Sequence, residues 1–132
     1  MGEQLSDDEY AFLDSMLDAA RDGRTAELRE AVEAGLPVNL TGPTGDTLLL
    51  LAAYYDRPET VRALLELGAD PERVNDRGQT ALGAAVFRRS AANVTALLAA
   101  GAGPRTGERS AVDLAEFFDL PEMLTLLRSS PA

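Results

Sequence analysis

The chain has 132 residues, 45% apolar but only 5% aromatic, and its 22 acids against 12 basic residues give a net charge of −10 at pH 7. It contains neither Cys nor His, which excludes disulfides, thiol and Ser–His nucleophiles and the usual zinc ligands, so no cofactor, metal or catalytic centre is expected. So acidic a surface repels phosphate backbones and argues against nucleic acid, and the longest apolar run, Leu48 to Tyr55, falls far short of the ~20 residues that span a bilayer.

The N-terminal segment is acidic and lacks the basic-then-apolar order of an export signal, so a cytoplasmic protein is expected. Ser6 with Glu9 three residues on forms a capping box, which predicts a first helix from Asp7 to about Arg21. Residues 1–40 hold ten acids against three Arg, a charge that serves solubility or attracts a basic partner. The apolar phrase Leu28–Gly35 then recurs as Val61–Gly68 and Val94–Gly101, its closing glycines 33 residues apart. A fixed period of this size signals one small unit used repeatedly, each copy covering the apolar side of its neighbour.

Within a unit, Thr47 or Thr80 is placed to cap a short helix of small apolar residues. A break follows, and Asp56–Glu59 reads as the start of a second helix, with a capping acid and Pro58 in the first turn; Asp119–Glu122 repeats the signal. Val61, Leu64 and Leu65, like Val94, Leu97 and Leu98, take the i, i+3, i+4 spacing of a buried face. Gly35, Gly68 and Gly101 end their helices where a left-handed residue is wanted. The last unit has a connection three residues shorter than its predecessor, and the tail at 129–132 lacks periodicity and reads as frayed.

This grammar resembles the ankyrin repeat. The residues that carry it are Asp76–Leu82, Leu51–Ala53, Val61 with Leu64 and Leu65, and Gly68–Asp70, recurring at a fixed offset over roughly residues 10–128. The resemblance implies an all-α solenoid of antiparallel helix pairs joined by β-turn or hairpin loops. It divides a single domain, 1–132, into an N-terminal cap at about 7–39, repeats at about 40–72 and 73–104, and a C-terminal cap at about 105–128. The family's Thr-Pro-Leu-His stretch is altered: the slots read Thr47–Leu50, Thr80–Gly83 and Ser110–Asp113, without Pro or His. The resemblance therefore implies looser turns and lower stability than in a consensus array.

Five of the seven aromatic residues fall in one equivalent pair of slots, seven and eight residues after the capping Thr or Ser: Tyr54 and Tyr55, Phe87 with Arg88, and Phe117 and Phe118. In the resembled family these slots and the turn tips (Pro43, Thr44 and Asp46; Asp76, Arg77 and Gln79) line a concave side where partners bind. Aromatic and Arg side chains suit hot spots because they bury much area at modest entropic cost. Phe117 and Phe118 could instead pack between units. Carboxylate pairs such as Asp113 with Glu116 lie where capping or solvation explains them, and the glycines of 101–107 fit neither phosphate-loop spacing. The expectation is a non-enzymatic, monomeric protein-binding module gripping a protein partner on its concave face, with self-association through the rings left open. The alternative is an acidic inhibitor or immunity-type protein that blocks a basic enzyme; an enzyme is the weakest reading.

Overall fold

The computed structural model describes residues 5–129, and eight α-helices run through them in chain order. They are α1 (Asp7–Asp22), α2 (Thr25–Glu33), α3 (Leu48–Tyr54), α4 (Pro58–Glu66), α5 (Ala81–Phe87), α6 (Ala91–Ala99), α7 (Ala111–Phe117) and α8 (Pro121–Arg128). Odd-numbered helices stack on one another as one layer and even-numbered helices as a second, with each pair packed internally. The tail predicted at 129–132 lies, past Ser129, outside the described residues.

The short inner helices form because a hydroxyl starts each one. The Leu50 and Gly83 backbone N–H groups donate to Thr47 and Thr80 Oγ1, each at 3.0 Å, and the Asp113 N–H donates to Ser110 Oγ at 3.2 Å. On α1 the box is complete: the Glu9 N–H donates to Ser6 Oγ and the Ser6 N–H donates to Glu9 Oε1. The Ser6 backbone N–H, then its hydroxyl, holds the Glu9 carboxyl below its ordinary range. That half of the cap is present above the usual Glu pKa and is lost as pH falls through the lowered value. Gly35, Gly68 and Gly101 take positive φ (119°, 95° and 98°), and a Cβ there would meet nothing within 4 Å, so handedness rather than space demands glycine.

The outer helices start differently from the sequence expectation. Asp56 and Asp119 do not cap α4 and α8; Arg57 and Leu120 occupy the cap positions and supply no side-chain bond. The three-residue turn between paired helices is so tight that its middle residue is driven left-handed, with φ of 57° at Asp56, 56° at Arg89 and 53° at Asp119; the shorter turn after α1 places Gly23 there. A residue held that way cannot also take the extended cap conformation. Asp tolerates this region better than Arg does. Pro58 and Pro121 do sit in the first turns.

Equivalent positions build the core as columns. Ala19, Ala52, Ala85 and Ala115 are all 0% exposed, flanked by Met16, Leu49, Leu82 and Val112 from the same inner helices. Leu28, Val61 and Val94 close the layer from the outer side. Polar ties between units keep the period: the Asp70 N–H donates to Asn39 Oδ1, and 33 residues on the Gly103 N–H donates to the Glu72 carboxylate. Glu72 also accepts from Thr106 Oγ1, which clamps the shortened last connection to the preceding unit. No described residue lies in a β-strand; the first turn closes with a single bridge between Thr41 and Thr47.

The missing His does not leave the turns untied. Buried Asn75 accepts at Oδ1 from the Arg77 and Gln79 N–H groups and donates through Nδ2 to Gln79 Oε1 and to Asp46 of the preceding turn. One amide thus orders its own turn and binds it to its neighbour. Two outcomes are predicted from this frame. Arg89→Gly relieves the left-handed strain and raises unfolding free energy by about 0.5–1 kcal/mol in denaturant titration. Ala85→Leu overfills the alanine column and lowers it by about 1–3 kcal/mol.

Candidate functional site

The two-residue ring slots close the C-terminal ends of α3, α5 and α7, so stacking of the inner helices carries the rings into one row. Tyr55 meets Tyr54 edge-on at 5.4 Å between centroids, and Tyr54 stacks on Phe87 at 6.0 Å with an interplanar angle of 8°. Phe87 meets Phe118 at 5.9 Å and Phe118 meets Phe117 at 5.0 Å, both near perpendicular. These are the spacings at which aromatic pairs attract. All five rings are exposed, from 36% at Tyr54 to 81% at Phe117, so Phe117 and Phe118 are not sealed between units. Tyr10 and Phe12 are exposed as well, so all seven rings lie on the surface.

Beside the row runs a groove with two adjoining hollows. One, of about 190 Å³, is lined by Leu50, Tyr54, Gly83, Ala84, Phe87 and Phe118, with Gln79, Leu114 and Arg109 at its edge. The other, of about 220 Å³, is lined by Tyr54 and Tyr55, the turn-tip residues Asp46, Arg77 and Gln79, and Arg21, Leu50 and Leu51. Ring slots and tips therefore face a common space, because the tips precede the inner helices whose far ends carry the rings. Asp76 lines neither hollow; its backbone N–H donates to the Thr44 carbonyl and joins adjacent tips. Arg88 is turned back on the row: its Nε donates to the Tyr54 carbonyl and its guanidinium stands 5.3 Å from the Tyr54 ring centroid. It therefore props Tyr54 and presents only part of its charge outward.

Sequence reasoning missed Arg109, Arg21 and the groove floor at Leu50 and Gly83. Arg109 precedes Ser110 as Gln79 precedes Thr80 and Asp46 precedes Thr47, but the shortened last connection breaks the 33-residue count that exposes the match. Arg21 lies 33 residues before Tyr54, in the slot the first cap fills with charge. Among the described residues no group of His, Cys, Asp or Glu is placed to hold a metal ion. No described helix is long and apolar enough to cross a membrane.

A model of ankyrin repeats in three copies matches residues 16–108. The chain is also 37% identical over 59 residues to a protein of Pseudomonas aeruginosa named "Putative ankyrin repeat protein PA3287". That alignment covers 45% of this chain and 34% of the relative, so the match spans about a third of the relative's length. Ankyrin repeats are generally protein–protein interaction modules and typically lack enzymatic activity. Stacked helix pairs, glycine-ended helices and the matched repeats together place this chain in the ankyrin repeat family.

Proposed function

We propose that the chain grips a protein partner in the groove between the ring row and the turn tips, and that it works by binding alone. The observation that carries this reading is the unbroken line of five exposed rings across three units. A continuous apolar patch of this kind on a polar surface marks an interaction site. The rings contribute little to the core, which is aliphatic throughout. Their clustering in equivalent slots is therefore best understood through what they contact outside the molecule. Tyr54, Tyr55, Phe87 and Phe118 serve as anchors in this reading, with Phe117 at the end of the row. Arg77 and Gln79 supply polar selection with Asp46, whose carboxylate is shared with Asn75 and Thr44, beside them; Arg88 steadies Tyr54, and Asp76 holds neighbouring tips in register.

The acidic-inhibitor reading draws on a different face. Asp7, Asp8, Glu9, Asp14 and Asp18 are exposed along α1, and none of them lines either hollow of the groove. It rests on charge alone, which also serves solubility, whereas the groove combines shape, apolar area and placed polar groups.

The test is affinity capture from the native cell with wild-type protein and with the Tyr54→Ala, Phe87→Ala double variant. Partners retained by the wild type are lost from the variant, with affinity lowered about 100-fold or more. Helical content and melting temperature stay within a few degrees of wild type, since neither ring fills the core. Equal capture by both proteins contradicts the assignment. An association rate that collapses with added salt while ignoring the ring substitutions favours the acidic face instead.

A further inference from the structure

Although the chain is strongly acidic, its groove is not. The charged side chains lining the two hollows are Arg21, Arg77 and Arg109 against the single carboxylate of Asp46. That carboxylate is already engaged: Oδ1 accepts from Asn75 Nδ2 at 2.7 Å and Oδ2 accepts from Thr44 Oγ1 at 3.0 Å. Arg21 is paired with Asp18 at 2.8 Å. Arg77 and Arg109 take part in no ion pair among the described residues, and both are exposed. The neighbouring acids Asp76 and Glu108 line neither hollow. Two guanidiniums thus stand without carboxylate partners beside an aromatic wall, in a chain whose net charge is −10.

We infer that the groove's occupant is an acidic segment of the partner protein, bearing a bulky apolar side chain next to one or more carboxylates. This rests on the groove being the binding site and names the chemistry it selects. The apolar side chain enters the hollow of about 190 Å³ between Tyr54, Phe87 and Phe118. A void of about 150 Å³ already holds a benzene ring, so one aromatic or large aliphatic side chain fits. The carboxylates reach Arg109 at the rim of that hollow and Arg77 at the next. Guanidinium forks bind carboxylates through paired, charge-assisted hydrogen bonds, and the aromatic wall lowers the local dielectric around them. A basic segment would meet two unpaired cations and find the lone carboxylate occupied.

The experiment is selection of a displayed random-peptide library on the immobilised chain, followed by affinity measurement with synthetic copies of the enriched peptides. Enriched sequences are expected to join Asp or Glu to Phe, Leu, Ile or Trp. The Arg77→Glu, Arg109→Glu double variant should weaken them at least about tenfold and enrich basic peptides in their place. Both side chains are exposed, and circular dichroism checks that the variants fold. Peptides that need Tyr54 and Phe87 but are basic, or ignore both arginines, overturn the inference while leaving the groove as the site. Absence of any peptide that depends on Tyr54 and Phe87 removes the groove reading as well. The start of α1, with exposed Tyr10 and Phe12 beside Asp7, Asp8 and Glu9, has the same acidic–aromatic chemistry. Sedimentation of the chain alone over a concentration series, with Phe12→Ala, therefore completes the test. A concentration-dependent dimer lost in that variant assigns the groove to a second copy and overturns a partner protein as occupant; a monomer throughout supports it.

Discussion

The column formed by Ala19, Ala52, Ala85 and Ala115 governs how near one unit stands to the next. Each of these side chains is a single methyl group with no exposed surface, so neighbouring inner helices approach closely along one line. Interiors are packed like organic crystals, and a column of this kind has no slack for larger groups. The flanking aliphatic residues then fill the layer on either side. Aromatic rings are too large for the space that remains, which is why a chain with seven of them builds its core without one. Stacking distance inside also sets spacing outside: rings at the ends of neighbouring inner helices are brought to 6.0 Å and 5.9 Å from one another.

Frame and surface are thereby separated. The glycines, capping hydroxyls and alanines answer to the geometry of one unit and repeat with it, whereas the ring slots are not held by the core; among the turn tips, Asp46 and Gln79 are tied to buried Asn75. The chemistry of the ring slots can change without disturbing the stack. The polar ties between units belong to the frame: Asn39 and Glu72 each accept a backbone N–H from the following unit, and Asn75 joins two turns through Asp46. Strain is confined to the tight turns between paired helices, where Asp56, Arg89 and Asp119 replace a glycine in the left-handed region.

Much of this was legible in the sequence because the signals were periodic. Phrases ending at Gly35, Gly68 and Gly101 announced the unit, and Ser6, Thr47, Thr80 and Ser110 announced the inner-helix starts. Asp56 and Asp119 misled for a physical reason: an acid ahead of Pro reads as a cap, but the turn's handedness is set by the preceding helix and is invisible locally. The exposed ring slots could be named, yet that Arg88 folds back over Tyr54, or that Asp46 is engaged by Asn75, depends on contacts between units. Arg109 was hidden because three missing residues shift the last unit out of phase. Charge was the least legible quantity, since a net value of −10 says nothing about two unpaired arginines in a groove.

The central claim is that an aliphatic, alanine-lined stack forces every ring outward. Proton NMR with a soluble paramagnetic agent tests this most directly, by comparing relaxation of the ring protons with that of the core methyls. The account predicts strong enhancement at Tyr54, Tyr55, Phe87, Phe117 and Phe118, and almost none at the methyl groups of Leu49, Ala52, Val61, Leu82, Ala85 and Val94. Rings of Tyr54, Phe87 or Phe118 as protected as those methyls would contradict it.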